Sequence, residues 1–216
     1  MSVSMTYTSL FADLQAYLER GYASDATVFA QIPSLINLAE RDIATKLKIL
    51  GLLLPVTDTM VAGTGIYAKP DRWRQTASMN FGVGTAPDQE RRPLFPRPYE
   101  YCRTYWPNTA LRDVPEFYCD YDYQHILVVP TPIAAYPYEW NYWQQPPLLD
   151  AGNQTNWLTD YAPQALLYGS LVQAEPFLKD GPWTQAWKDA YAGELSALNT
   201  QDLQRVIDRT TIRRTV

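Results

Sequence analysis

Helical periodicity at both ends of the chain, interrupted by a middle segment without it, is the feature that most constrains the fold. Apolar residues recur at three- and four-residue spacing in residues 8–20, 34–50 and 160–209, which predicts amphipathic helices at both ends. From Leu53 the chain changes to short apolar or β-branched runs separated by Gly, Pro and Asp, a texture typical of strands and turns. The predicted order is therefore helix, helix, β insert, helix, helix.

This order predicts an α+β fold that is mainly α, with the N- and C-terminal helices joined in one helical bundle and an antiparallel β module inserted between them. The predicted segments are the N-terminal helices of the bundle (1–52), a β-rich insert (53–145) with a short helix near 99–105, the C-terminal helices of the bundle (146–209) and an extended C-terminal arm (210–216). A loop rich in Pro, Asp and Gly is expected over residues 82–98.

The second predicted helix begins near Asp25 or, with Pro33 in its first turn, at Ser34. Its predicted buried stripe consists of Leu35, Leu38, Ala39, Ile43, Leu47 and Leu50. The residues predicted to face water are Glu40, Arg41, Asp42, Lys46 and Lys48. This division follows from the usual placement of charged residues on the solvent face of an amphipathic helix.

Composition is that of a globular protein, because 46% of the 216 residues are apolar and 19% are charged. No apolar run is long enough to span a bilayer, and the first residues lack the pattern of a secretory signal, so we expect no membrane association and a location in the cell that makes the protein. The formal net charge of −5 disfavours a protein that grips DNA. A mildly acidic surface suits the wall of a channel through which DNA slides.

Residues that carry catalysis or bind metal are scarce. Cys102 and Cys119 have only His125 to complete a zinc site, so we predict free thiols and no metal. Asp120 and Asp122 share a strand face and resemble a glycosidase pair, but neighbours on one face are not opposed across a sugar ring, and solvated acids at a sheet edge are the simpler interpretation. His125 has no partner triad. We predict no catalytic residue, no cofactor and no enzymatic activity.

Aromatic content is the most informative departure in composition, with 16 Tyr and 7 Trp. Tyr136, Tyr138, Trp140 and Tyr142 repeat at a spacing of two, so they project from one face of a strand. Three interpretations remain open for this stripe: the core of the β module, an interface with another subunit or a tail protein, and a platform on which sugar rings stack.

The segment from Trp143 to Asp180 resembles the C-terminal part of adaptor proteins of tailed bacteriophages. In that family a strand that ends in an aromatic residue leads through a Pro and Asn-Thr-Asn-Trp connection to a helix started by proline. The matching residues here are Pro146, Pro147, Asn153, Thr155, Asn156, Trp157, Leu158, Pro163, Leu166, Leu167, Tyr168, Gly169, Ala174, Phe177, Leu178 and Lys179. Residues 32–41 also resemble the second helix of the family, and the likeness is sharp over about a third of the chain. Asn153, Thr155, Asn156, Trp157 and Pro163 are expected to have a structural role, in caps and turns.

The resemblance implies a virion structural protein at the head-to-tail junction, assembled in the host cytoplasm. It implies a ring, typically dodecameric, that binds the phage portal protein, meets tail or nozzle proteins through the β module, and encloses DNA without reading its sequence. By the same likeness, an arm of Arg209, Thr210, Thr211, Ile212, Arg213, Arg214, Thr215 and Val216 reaches into the portal. Deletion of residues 210–216 is expected to preserve the fold and weaken portal attachment. The alternative is a carbohydrate-binding or tail-fibre-type module that uses the aromatic stripe.

Overall fold

A computed structural model describes residues 5–18, 26–83, 90–178 and 183–211. Its helices are α1 (Tyr7–Tyr17), α2 (Ala26–Lys46), α3 (Tyr99–Tyr105), α4 (Trp157–Tyr161), α5 (Pro163–Leu178) and α6 (Trp183–Thr211), with a 3-10 turn at Leu50–Leu52. Its strands are β1 (Leu53–Thr59), β2 (Ile66–Ala68), β3 (Trp73–Val83), β4 (Glu90–Pro96), β5 (Phe117–Asp120), β6 (His125–Val129) and β7 (Pro137–Gln144).

The chain divides into two compact units. The helical unit comprises Met1–Leu52 and Gln145–Val216, and the β unit comprises Leu53–Gln144. Each unit has its own buried core, so the packing of each is described separately.

Helices α2, α5 and α6 pack together in the helical unit. Gly169 on α5 permits a close approach, because an added Cβ would lie 3.1 Å from the ring of Tyr191 on α6 and 3.4 Å from Ala39 on α2. The hydroxyl of Tyr191 donates a hydrogen bond to Asp42 Oδ2 at 2.7 Å. Burial and this hydrogen bond raise the pKa of Tyr191. A small residue and one buried tyrosine thus connect three helices.

Helix α2 begins at Ala26 and contains Pro33, so it corresponds to the longer of the two predicted helices. Its faces also differ from the prediction. Leu38 and Leu50 are exposed, whereas Glu40, predicted to face water, is fully buried. The physical reason is position, because Glu40 lies four residues after the buried Ile36 and three before the buried Ile43.

Glu40 is the centre of a buried hydrogen-bond network. The backbone N–H of Leu149 donates to Glu40 Oε2 at 3.0 Å, and Asn156 Nδ2 donates to Glu40 Oε1 at 2.6 Å. With its amide oriented to satisfy both neighbours, Asn37 donates to Glu40 Oε2 and to the carbonyl of Leu149, each at 3.2 Å. Burial outweighs these donors and raises the pKa of Glu40 to about 7. The network ties α2 to the connection that follows β7.

The same connection starts two helices. Asn156 caps α4 by accepting from the backbone of Leu158 and Thr159, and the hydroxyl of Thr159 accepts in return from the N–H of Asn156. Pro163 is the first residue of α5, where its missing N–H costs nothing. Asn153 Nδ2 donates to the carbonyl of Leu148 at 2.8 Å.

The connection also holds α1 in place. Gln154 accepts from the backbone N–H of Tyr7 through its carbonyl and from Thr8 through its side chain. The cap of α1 is Thr6, which forms a reciprocal capping box with Ser9. Residues 145–156 therefore contact α1 and α2 and start α4.

The β unit is a seven-stranded sheet in the order β1-β7-β3-β4-β5-β6-β2. All strand pairs are antiparallel except β4 with β5, which are parallel. The sheet is curled, so that its two edge strands approach each other. The hydroxyl of Tyr67 on edge strand β2 hydrogen-bonds with the backbone of Val61, which follows edge strand β1. The ring of Tyr67 also lies 6.3 Å from the ring of Tyr138 on β7. Curling encloses one face of the sheet as an interior.

The predicted fold class, a mainly helical bundle with an inserted antiparallel β module, is wrong. The structure has a curled, mixed, seven-stranded sheet that forms a unit with a buried core of its own. Residues 82–98, predicted to be a loop, contain the end of β3 and all of β4. Strand β4 supplies the parallel contact with β5 that makes the sheet mixed, and it completes a sheet with a core of its own.

We predict that the helical unit loses stability as pH rises because of Glu40. Its folded pKa of about 7 exceeds its ordinary value of 4.5, so its contribution is complete at low pH and disappears as pH rises through about 7. The shift corresponds to at most about 3 kcal/mol. Urea unfolding of wild type and Glu40→Gln, measured at about pH 5 and about pH 8, should show a smaller loss in the variant.

Glu175→Gln is the matched control, because Glu175 is a partly exposed carboxylate on α5 paired with Lys188. It should retain the pH dependence of wild type. If Glu40→Gln shows the same loss of stability as Glu175→Gln between the two pH values, Glu40 is not the group responsible.

Candidate interaction surfaces

The aromatic stripe of β7 lies in the interior of the β unit. Tyr136, Tyr138, Trp140 and Tyr142 have exposed fractions of 8%, 6%, 0% and 2%. Trp140 Nε1 donates to the hydroxyl of Thr76 on β3 at 3.0 Å. The four rings pack against residues from all of the remaining strands of the curled sheet, β1 to β6. They therefore present almost no surface to a sugar or to a second protein, and the surface aromatics of this unit lie elsewhere.

Strands β5 and β6 are covered on both faces. Tyr118, Ile126 and Val128 point into the interior of the curled sheet. A second cluster, on the other face, lies beneath α3 and consists of Cys102, Cys119, Leu127 and Val129, with Trp106 and Phe117 packed against it. Both thiols are free, as predicted, and burial raises their pKa values, to about 12 for Cys119. Helix α3 is thus fixed by its inner side.

Aromatic rings and two arginines lie together on α3 and on or next to the strands β4 and β5. We call this group the arginine–tyrosine surface; it comprises Phe95, Arg97, Tyr99, Tyr101, Arg103, Tyr105, Phe117 and Tyr121. Phe95 and the four tyrosines of this surface are between 38% and 54% exposed. Exposed apolar groups of this size in one place mark interaction sites more often than scattered single residues do.

Each arginine of this surface is stacked on two rings. Arg97 Cζ lies 5.3 Å from the ring centre of Tyr101 and 5.4 Å from that of Phe117. Arg103 lies 5.3 Å from the ring of Tyr99, to whose hydroxyl its Nε donates at 3.0 Å, and 5.9 Å from that of Tyr121. The rings hold the guanidinium groups in place.

The rings also pack against one another. Tyr101 and Tyr105 are stacked at 6.1 Å, and both meet the ring of Phe117 edge-on, at 5.5 and 5.2 Å. The hydroxyl of Tyr105 donates to Glu116 Oε2 at 2.8 Å, which raises the pKa of Tyr105. The result is a preformed surface with little side-chain freedom left to lose on binding.

A guanidinium stacked on a ring keeps N–H donors at its edge that match the two oxygens of a carboxylate. Tyr and Arg are also the residues most enriched where protein interfaces gain their affinity. The arginine–tyrosine surface therefore has the chemistry to bind an acidic protein surface that offers an apolar contact.

A cleft of about 410 Å³ lies in the helical unit. We call it the Trp157–Tyr161 cleft; its lining residues are Ile49, Leu50, Gly51, Trp157, Tyr161, Leu198, Gln201 and Asp202. The rings of Trp157 and Tyr161 are stacked at 5.5 Å, and 69% of Tyr161 is exposed. Gly51 is required here because a Cβ at this position would overlap the indole of Trp157. Among the described side chains, one carboxylate and no cation line the cleft.

Asp120 and Asp122 do not form an acid pair. Asp120 forms an ion pair with Lys69 at 2.7 Å, and the ammonium of Lys69 lies 3.7 Å from the ring centre of Trp73. Asp122 accepts from the backbone N–H groups of Gln124 and His125. Its side-chain contact with the imidazole of His125 lowers the pKa of Asp122. These contacts close the β5–β6 turn, and both carboxylates serve structure.

The predicted C-terminal arm lies mostly outside the described residues. Helix α6 continues through Thr211, so Arg209, Thr210 and Thr211 have helical backbone where an extended arm was predicted to begin at Thr210. Ile212, Arg213, Arg214, Thr215 and Val216 fall beyond the described part. Of the structural motif, Asn153, Asn156 and Pro163 have the cap and turn roles described above, Trp157 lines the cleft, and Thr155 is exposed.

Residues capable of binding a metal are not clustered in the described part of the chain, where no group of three or more His, Cys, Asp or Glu side chains is arranged to hold an ion.

Helices within the described ranges are all too short or too polar to cross a membrane.

The described residues thus form two packed units and two surfaces with exposed aromatic rings. Comparison with protein families identifies the class of the protein: the family described as SU10 adaptor protein matches residues 5–214, nearly the whole chain. The protein therefore belongs to the SU10 adaptor family, and its resemblance to phage head-to-tail adaptors is confirmed. Its role is that of a phage adaptor structural protein. A search of curated proteins gave no significant match.

Sequence reasoning did not find either surface. Arg97, Arg103 and the tyrosines of α3 are separated by irregular spacings, and only the packing of a seven-residue helix on β5 brings them together. Gly51 is predictable as a helix end but not as the space for Trp157, since those two residues are far apart in sequence.

Trp140→Ala and Tyr101→Ala are predicted to differ sharply in stability. Trp140 is fully buried, so its truncation should lower the free energy of unfolding by about 3–5 kcal/mol. Tyr101 is 43% exposed, so its truncation should lower the free energy of unfolding by about 1 kcal/mol, mainly through lost contacts of its ring. Urea unfolding monitored by circular dichroism measures both. Equal losses would show that the two rings do not differ in burial as described.

Proposed function

We propose that the protein is one subunit of a homo-oligomeric ring at the head-to-tail junction of a phage particle, where it links the portal to tail or nozzle proteins. The match to the adaptor family over residues 5–214 is the observation that carries the proposal. The number of subunits implied by the resemblance is twelve. In this role the particle contains the protein as a permanent component, assembled in the host cytoplasm.

A closed ring of identical subunits needs two different complementary surfaces on every copy. Two candidates support this requirement, since the arginine–tyrosine surface is on the β unit and the Trp157–Tyr161 cleft is on the helical unit. If all aromatic side chains of a subunit were buried in its own core, few of them would be available to contact a neighbouring subunit. The exposed aromatics of α3 and α4 supply that material.

Passage of DNA through such a ring requires that the wall not hold it. The net charge of −5 supports this function, because a mildly acidic wall repels the phosphate backbone weakly. The ring would enclose DNA without contacting bases.

Ring formation is tested by electron microscopy of negatively stained protein, alone and mixed with the portal protein of the same phage. Closed rings coaxial with the portal are the expected result. Images in which the portal carries no added ring at saturating protein would reject the proposal.

The C-terminal arm from Arg209 to Val216, of which residues 212–216 follow α6, is proposed to attach the ring to the portal. Truncation after Thr211 keeps the whole of α6 and should leave the unfolding transition unchanged while reducing co-sedimentation with portal at least tenfold. The double variant Arg213→Gln/Arg214→Gln keeps the chain length and tests charge alone. Wild-type co-sedimentation of the truncated protein would rule out this attachment.

A further inference from the structure

We propose that the arginine–tyrosine surface of one copy binds the Trp157–Tyr161 cleft of a second copy, and that this contact, repeated, closes the ring. The inference rests on the proposed function and names the two surfaces that would carry it. The partner that occupies the Trp157–Tyr161 cleft is a second copy of this chain.

Charge complementarity favours this pairing. The exposed Asp160 lies on the same short helix as the two cleft rings, and Asp202 lines the cleft itself. Arg97, which precedes α3, and Arg103 on α3 are the complementary charges.

Apolar chemistry also matches between the two surfaces. The cleft presents the stacked rings of Trp157 and Tyr161 beside Leu50 and Leu198. Aromatic side chains fit such rings in offset or edge-on contact, and Tyr101 and Tyr105 are exposed to supply them. A volume of about 410 Å³ accommodates one or two tyrosine side chains. An aromatic anchor surrounded by paired charges is the usual composition of an interface that forms between preformed surfaces.

Two variants separate the surfaces. The first, Arg97→Glu/Arg103→Glu, reverses the charges of the arginine–tyrosine surface and leaves the cleft intact. The second, Tyr161→Ala/Asp202→Lys, alters the cleft and leaves the arginine–tyrosine surface intact. Self-association is measured by sedimentation velocity over a concentration series that reaches on the order of 1 mM. Wild type should form species larger than a dimer in this series, and each variant alone should remain monomeric.

The decisive measurement is a mixture of the two variants. Each variant retains one functional surface, and the two retained surfaces are complementary, so an equimolar mixture should form heterodimers. Growth beyond the heterodimer would require the two altered surfaces to pair. Their reversed charges are opposite in sign, but the Tyr161 ring is absent there, so larger species should be rarer than in wild type. A mixture that stays monomeric contradicts the pairing, as does assembly of either variant alone at wild-type concentrations. Wild type that stays monomeric throughout the series also contradicts it.

Matched controls use similar changes outside both surfaces. Arg92→Glu/Arg112→Glu reverses two exposed arginines of the β unit, and Asp13→Lys/Tyr17→Ala changes an exposed acid and tyrosine on α1. Both should assemble like wild type. Loss of assembly in these controls would show that net charge, and not the paired surfaces, governs association. Unfolding midpoints of all four variants identify any that fail to fold, and single substitutions Arg97→Gln and Tyr161→Phe then replace them.

The outcome is separable from the proposed function. If the paired surfaces fail these tests while wild type still forms rings on the portal, the ring exists and uses other contacts. If no ring forms on the portal, the proposed function fails whatever the variants do.

Discussion

A buried carboxylate must be supplied with hydrogen-bond donors, and the helical unit is organised around that requirement at Glu40. The donors come from Asn37 one turn earlier and from Leu149 and Asn156, which lie far along the chain. The connection after β7 must therefore return to α2 before α4 begins. An apolar residue at position 40 would fill the same space, but it would leave the N–H of Leu149 and one N–H of the Asn156 amide without an acceptor, so the polar network specifies one arrangement of the connection.

The β unit meets a different constraint, because β5 and β6 are covered on both faces. Their inner side chains join the aromatic interior, and their outer side chains lie beneath α3. A short helix fixed in this way has little freedom to hide its remaining sides. Arg97 and Arg103 lie over the exposed rings and partly cover them, while the polar edges of the guanidinium groups remain available. The interaction surface is thus a consequence of how the outer face of the sheet is closed.

Local periodicity predicted much of the secondary structure and little of the environment. The spacing of two in β7 correctly places four rings on one face, but the same spacing fits a core, an interface or a sugar platform, and only closure of the sheet makes it a core. Strand β4 was missed because Pro93 and Pro96, near the glycines that precede it, favour a loop in any local analysis. Glu40 shows the opposite failure. Its spacing from Ile36 and Ile43 indicates the buried face, yet residue type suggested solvent, since the donors that make burial tolerable are remote in sequence.

A subunit that assembles at one place in a particle must be soluble beforehand and stable afterwards, and weak heterologous contacts satisfy both conditions. In the proposed ring, a single contact between the arginine–tyrosine surface and the Trp157–Tyr161 cleft need not be strong. In a closed ring every copy makes two such contacts, and the last contact forms without further loss of translational freedom. Docking on a portal would raise the local concentration of subunits in the same way. Affinity would then arise from closure, which explains why preformed surfaces with paired charges suit this task better than one large apolar patch that would aggregate in the free subunit.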